Sequence, residues 1–230
     1  MACFETRIAP KRCRIANAVT LVCLLACMCT QPGFAGELRV TVIDKSGHGV
    51  GEAVVIAMPL AHQELGTVEA KAVMDQRNLS FVPRVIVVAA GTSVEFPNND
   101  TVSHQVYSFS AAKKFQLPLY KGEFHTPVKF ERAGLVVLGC NIHDEMVGYI
   151  YVTEARFFGK TDGSGGLELA GMPAGDYRVT VWSPFIADSA ATLVVVVHVG
   201  ATEVAAHKVQ LIRELRTRPE PRPRRADWEY

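Results

Sequence analysis

Residues 134–152 read Gly134-Leu135-Val136-Val137-Leu138-Gly139-Cys140-Asn141-Ile142-His143-Asp144-Glu145-Met146-Val147-Gly148-Tyr149-Ile150-Tyr151-Val152. Two runs rich in β-branched and aromatic residues, Gly134 to Leu138 and Gly148 to Val152, read as strands bounded by glycine. Between them lie a thiol, an imidazole and a thioether at Cys140, His143 and Met146. A tight loop joining two antiparallel strands is able to turn all three side chains toward one point. The spacing therefore predicts a β framework with a metal site at its edge.

A further ligand has to come from elsewhere. The best candidate is His104, at the end of Asn98-Asn99-Asp100-Thr101-Val102-Ser103-His104. Thiolate and thioether donors select soft Cu(I), imidazole suits both copper oxidation states, and one thiolate, two imidazoles and a weak thioether form the donor set of a type-1 copper site. The expected metal is copper, held by His104, Cys140 and His143 with Met146 as a long axial ligand. A scaffold that fixes these donors changes little between the two oxidation states, which favours fast one-electron transfer.

Other candidates carry less. His48, His62, His198 and His207 are isolated, and His125 in Phe124-His125-Thr126-Pro127 reads as a surface strand position. There is no His-x-His pair, so the ligands of trinuclear or type-2 copper catalysis are missing, and no enzyme activity is expected. A Cys140–His143 nucleophilic dyad is disfavoured by the neighbouring Met146. Asp162-Gly163-Ser164-Gly165-Gly166 lacks the carboxylate spacing and the distal Glu of a calcium loop.

Residues 1–35 combine a basic start (Arg7, Lys11, Arg12, Arg14), an apolar run from Ile15 to Cys29 and the small-x-small site Gly33-Phe34-Ala35, the layout of a secretory signal peptide. The apolar run is short for a retained membrane anchor. An alternative takes Leu24-Leu25-Ala26-Cys27 as a lipobox, which would leave a lipoprotein anchored at Cys27. Five of the six cysteines, Cys3, Cys13, Cys23, Cys27 and Cys29, fall in this leader. The exported chain then keeps Cys140 alone, which has no disulfide partner in an oxidising compartment. A bound cation would hold that thiol deprotonated and shield it. The formal net charge is +1; between leader and tail the balance is mildly acidic with no basic stripe, so nucleic-acid binding is not expected.

From Glu37 onward short strands alternate with Gly, Pro and Asn turns, the pattern of an all-β sandwich or barrel. Expected strands include 38–42, 53–57, 81–82, 85–88, 93–96, 105–108, 128–130, 134–138, 148–152, 167–169, 177–182, 194–199 and 203–211. Residues 60–72 fit a short helix or a loop. Arg213 to Tyr230, with Pro219, Pro221 and Pro223 among arginines, has too little apolar surface to order itself and reads as a disordered tail.

Phe81-Val82-Pro83, Gly91-Thr92-Ser93-Val94-Glu95-Phe96-Pro97-Asn98, His104 and the Cys140/His143/Met146 loop resemble a cupredoxin of the plastocyanin and amicyanin type, over roughly residues 73–153. The Cys-x-x-His-x-x-Met spacing is similar to the short ligand loop of amicyanins, and the chain resembles periplasmic plastocyanin-like proteins labelled methylamine-utilisation proteins. The resemblance implies a Greek-key β-sandwich, copper on His104, Cys140, His143 and Met146, electron transfer, and exit through His143 to a redox partner docking beside it. Two positions depart from the family. Gln105 stands where Asn usually follows the first histidine, and Asp144 and Glu145 stand where Pro and a large apolar residue follow the second. The acids suggest a different or basic partner.

A second resemblance covers the flanks. Val40-Thr41-Val42-Ile43-Asp44 with Gly47, Gly49 and Ala53-Val54-Val55, and later Thr161-Asp162-Gly163 and Met172-Pro173-Ala174-Gly175-Asp176-Tyr177, look like a carboxypeptidase-regulatory or transthyretin-like sandwich. The implied layout is a discontinuous module, 37–60 and 154–212, into which the cupredoxin segment is inserted. The alternative is a cupredoxin with an extra strand pair before it and a separate module after it. Three functions remain open: a periplasmic one-electron carrier, a copper delivery or storage module using the same ligands, and a structural sandwich with zinc or no metal.

Overall fold

The computed structural model describes residues 36–61, 70–122, 126–185, 193–202 and 204–211. The expected leader with Cys27, the tail, His62, His125 and most of the ambiguous 60–72 segment lie outside the described residues.

Among the described residues seventeen strands account for the regular structure, with no helix. They are β1 (Gly36–Ile43), β2 (Val54–Pro59), β3 (Lys71–Val73), β4 (Asp75–Arg77), β5 (Ser80–Val82), β6 (Val85–Ala89), β7 (Thr92–Glu95), β8 (Tyr107–Ser110), β9 (Lys113–Gln116), β10 (Val128–Phe130), β11 (Gly134–Cys140), β12 (His143–Thr153), β13 (Phe157–Lys160), β14 (Gly166–Met172), β15 (Gly175–Trp182), β16 (Leu193–Val199) and β17 (Val204–Gln210). No helix among the described residues is long and apolar enough to cross a membrane.

Four sheets carry the layers, in the orders β14-β1-β17, β13-β2-β15-β16, β6-β12-β11-β8-β9 and β10-β7-β3. The first two enclose a core built from Leu38, Val40 and Val42 of β1, Val55 and Ala57 of β2, and Tyr177, Val179 and Val181 of β15. The last two enclose another, with Phe81, Phe96, Phe130, Leu138, Cys140, Met146 and Ile150. Successive side chains on a strand point to opposite faces, and β2, β6 and β12 use both. Val55 and Ala57 face the first core while Val54 and Ile56 face a third cluster. Likewise Ile150 and Val152 face the second core, and Tyr149 and Tyr151 face the third. Strands buried on both faces read as unbroken apolar runs, which is why Val54-Val55-Ile56-Ala57 shows no alternation.

The third cluster centres on Trp182, which is 1% exposed. Its indole lies 5.5 Å from the Tyr149 ring and 5.7 Å from the Tyr151 ring. Aromatic pairs at such separations add to the stabilisation from area burial. This seam joins the β2–β15 sheet to the β6–β12 sheet.

The expected strand at 105–108 shifts, and β3, β4, β9 and β13 match none of the expected strands. The strand expected at 105–108 begins at Tyr107 and runs to Ser110, because Val106 turns into the core and its carbonyl instead accepts from the Leu117 N–H, at 2.8 Å. β9, the polar Lys113-Lys114-Phe115-Gln116, carries no apolar alternation and forms through main-chain pairing with β8 at the sheet edge.

Trp182→Ala should cost about 3–5 kcal/mol of unfolding free energy, the range for deleting a large buried aromatic side chain. Urea unfolding followed by circular dichroism measures it, and a loss below about 1 kcal/mol would show that the seam collapses freely around the gap.

Candidate metal centre

β11 and β12 pair antiparallel from Gly134↔Val152 to Gly139↔Val147, and after a register shift Cys140 pairs with His143. The tight loop expected between the two strands is therefore shorter than the sequence suggested. Cys140 ends β11, Asn141 and Ile142 form the turn, and His143 opens β12, with Met146 already inside the strand. β12 carries Asp144, Glu145 and Met146 as the irregularity between the Gly139↔Val147 and Cys140↔His143 pairs, and the Cys140↔His143 pair closes the hairpin beyond them. Asp144 and Glu145 point outward and Met146 inward, buried as the fold of the hairpin requires.

Glycine brackets this hairpin for a steric reason. Gly139 pairs with Tyr107 of β8, and a Cβ at Gly139 would stand 2.7 Å from the Tyr107 ring. A Cβ at Gly148 would stand 2.9 Å from the Phe81 ring. Both aromatic rings lie against bare backbone on either side of the donors.

His104 arrives from a separate segment. Its N–H donates to the Tyr120 carbonyl at 2.9 Å, and the Tyr120 N–H donates back at 3.0 Å. Asn98 Nδ2 ties the same segment together through the carbonyls of Val102 (3.0 Å) and Tyr120 (2.8 Å). Gln76, fully buried, donates from Nε2 to the Tyr120 hydroxyl, and that hydroxyl in turn donates to the Phe96 carbonyl. Burial pushes the Tyr120 phenol up to about 12, so it remains a donor. Neither Gln76 nor Tyr120 stands out in the sequence, because their partners are atoms far along the chain.

The three nearest donors face one another. His104 Nδ1 and His143 Nδ1 are 3.2 Å apart, and Cys140 Sγ lies 3.9 Å from the first and 3.7 Å from the second. Among the described residues, this is the group of His, Cys, Asp and Glu side chains positioned to hold a metal ion. A point equidistant from the three atoms lies ~2.1 Å from each, the length of a metal–imidazole bond and close to that of a metal–thiolate bond. Donor type and spacing thus both fit a borderline-soft cation. Met146, 1% exposed, belongs to the same buried cluster as Cys140.

Burial is graded. His104 is 0% and Cys140 2% exposed, whereas His143 is half-buried beside the exposed Ile142, Asp144 and Glu145. Desolvation and the nearby His104 push the His143 pKa down, against a smaller upward pull from Asp100. A lowered pKa keeps His143 neutral at pH 7, with a lone pair free for a metal.

Behind His104 stands a residue that the sequence reading assigned no role. Asp100 Oδ2 is 2.9 Å from His104 Nε2, and both side chains are almost wholly buried. Asp100 Oδ2 also accepts from the Leu79 N–H at 2.7 Å, and Oδ1 from the Thr101 N–H at 2.6 Å. Burial alone would raise the carboxyl pKa, but these main-chain donors and His104 outweigh it and bring it down to about 2. The i, i+4 spacing of Asp100 and His104 was visible in the sequence. The contact was not, because it depends on how the 98–104 segment folds back.

No protein-family model matches the chain, and no curated protein matches it. Solved structures to which it is similar include a purple cupredoxin from Nitrosopumilus maritimus, 24% identical, covering 37% of this chain and 100% of that one at a TM-score of 0.32. A copper-containing nitrite reductase from Thermus scotoductus is 26% identical over 42% of this chain and 25% of its own, with a TM-score of 0.34. A mutant amicyanin in its reduced state is 21% identical over 43% of this chain and 99% of that one, with a TM-score of 0.33.

The lowered pKa of Asp100 predicts that the metal-free protein is acid-sensitive. Its folded-state pKa of about 2 lies below the ordinary 3.8. The stability it contributes is therefore complete above about pH 4 and disappears as pH falls toward 2. Urea midpoints measured between pH 6 and pH 2.5 should fall more steeply in the parent protein than in Asp100→Ala. Gly139→Ala should lower stability by about 1–3 kcal/mol through overpacking against Tyr107, read by the same unfolding assay.

Proposed function

We propose that this protein is a type-1 copper protein of the cupredoxin kind, a periplasmic carrier of single electrons with no catalytic turnover of its own. The observation that carries this reading is the buried triangle of Cys140 Sγ, His104 Nδ1 and His143 Nδ1. Thiolate with two imidazoles, and a thioether from the same hairpin, is a copper donor set. Copper bound there would supply a one-electron couple between Cu(I) and Cu(II).

The chain's own residues supply what such a couple needs. The β11–β12 hairpin and the Tyr120-anchored segment hold the donors from opposite sides, so their positions do not depend on the charge of the site. His104 and Cys140 are closed to water, while His143 reaches the surface and offers the shortest way out for an electron. Asp144 and Glu145 flank that exit and favour a partner with basic groups around its own redox centre. Their charges would steer the encounter more than strengthen the complex.

The leader features support export to the periplasm, with a lipid anchor at Cys27 as the alternative ending of the same route. In that compartment Cys140 would have no disulfide partner, and a bound cation would hold its thiol deprotonated. The segment 73–153 would be the copper domain, inserted into a second sandwich made of 37–60 and 154–212. The separate cores on either side of the Trp182 seam support that division.

Copper-loaded mature protein should be intensely blue or green, with the narrow copper hyperfine splitting of a type-1 site in its EPR spectrum. Cys140→Ser should abolish the colour. A colourless Cu(II) form, or zinc rather than copper in protein isolated from the periplasm, would sink the proposal. A type-1 spectrum without rapid reduction and reoxidation by small carriers would favour copper delivery or storage.

Reversing both charges, Asp144→Lys with Glu145→Lys, should slow electron transfer to a basic c-type cytochrome roughly tenfold at low ionic strength, and high salt should erase the difference. Stopped-flow spectroscopy reads both rates.

A further inference from the structure

We infer that the end of the β6–β12 sheet remote from the metal centre is a binding site for a small carboxylate with an apolar body and a hydroxyl at its far end. The site shares no residue with the donors, so it stands or falls apart from the copper reading.

A cavity of about 970 Å³ opens where β3, β6, β7, β10 and β13 meet the end of β12. Small-molecule pockets span about 300–1,000 Å³, so the space suffices for such a ligand. β12 runs from His143 at the metal centre to Thr153 in the cavity wall, a separation of about 30 Å along an extended strand. Small side chains make the space. Ala72, Ala89, Ala90 and Ala155 line it, with Val87 and Phe158 as larger apolar groups.

Two polar features border that apolar wall. Thr92, in the lining, is 2% exposed, and its Oγ1 has no hydrogen-bond partner. Buried hydroxyls are nearly always paired, and an orphan bears the cost of lost hydration. A polar atom brought by a ligand would satisfy it. Successive residues of β7 face opposite ways. Thr92 pairs with the buried Phe130 and faces inward, whereas Ser93 pairs with Lys129 on one side and Lys71 on the other. Those two lysines therefore stand on the outer face, at the mouth of the cavity.

Arg156 also lines the cavity, its guanidinium 5.7 Å from the centre of the Phe157 ring. Glu131, 4.0 Å from Lys129, and Glu154 are the acids of the lining. Three cations against two carboxylates leave an excess of one positive charge. A monocarboxylate matches that excess, and a guanidinium presents it with a fork of donors. Cations at the mouth, an apolar wall and an unpaired hydroxyl on the inner side thus select a molecule acidic at one end and hydroxylated at the other.

Three compounds of similar size separate these elements. 4-Hydroxyphenylacetate carries both the acid and the hydroxyl, phenylacetate lacks the hydroxyl, and tyramine exchanges the acid for an amine. Calorimetric titration should give saturable binding of 4-hydroxyphenylacetate, with equal affinity in metal-free and copper-loaded protein. Phenylacetate should bind about fivefold more weakly, the worth of one neutral hydrogen bond, and tyramine more weakly still. Thr92→Val should remove the difference between the two acids. Arg156→Gln should weaken both acids about fivefold, and Lys208→Gln, on β17 and outside the lining, should change neither. Thr92→Val should also leave the urea midpoint of the free protein unchanged or higher, since it deletes an unpaired hydroxyl.

No saturable binding of 4-hydroxyphenylacetate up to its solubility limit would overturn the site. So would tighter binding of tyramine than of either acid, or amide shifts in 15N-labelled protein that cluster around His104 and not around Thr92. A Thr92→Val variant that still prefers the hydroxylated acid, or that unfolds at lower urea, would overturn the role of the Thr92 hydroxyl.

Discussion

One constraint governs the structure: a thiol must come within bonding reach of two imidazoles that lie three residues ahead of it and 36 residues behind it. The near one is met locally. Cys140 and His143 face each other across a two-residue turn, where strand pairing fixes their separation. The distant one needs a second, independently anchored backbone. That is the work of the His104–Tyr120 bridge, the Asn98 side chain and the Gln76–Tyr120 bond behind them. Most of the buried polar bonding near the site serves to hold this single segment.

Placing the donors on two rigid pieces has a consequence for their energetics. Nothing in the triangle depends on a flexible loop closing over it. Three close donor atoms without a cation crowd polar groups into a buried space, where burial first and the nearby His104 second push the His143 pKa down. The scaffold supplies the free energy that holds them together, and a bound cation would relieve the conflict.

The same sheet serves two neighbours. β12 begins at the metal centre with His143, passes Met146 into the second core and ends with Tyr149 and Tyr151 packed on Trp182. A single strand thus links the donors to the layers built from β1, β2 and β13 to β17. The outer sandwich braces the β6–β12 sheet on its far face, which a lone five-stranded sheet with one buried side would leave to water.

Much of this was legible in the residues. The residue types at Cys140, His143 and His104 pointed to a candidate metal site that the structure brings together, since donor chemistry depends on residue identity. The all-β character followed from short runs of Val, Ile, Tyr and Phe broken by Gly and Pro, because side-chain alternation and turn propensity are local properties. Other features depended on tertiary structure. Strand pairing took in Lys113 and Lys114, and closed the hairpin at Cys140 and His143, where no apolar pattern marks it. Gly139 and Gly148 acquired a reason only when the Tyr107 and Phe81 rings came to lie on them. Asp100 became the partner of His104 because the 98–104 segment folds back on itself, a contact that neither residue's type specifies. The sequence by itself determined which atoms are available to a metal; the packing of distant segments decided which of them meet, and which carboxylate stands behind them.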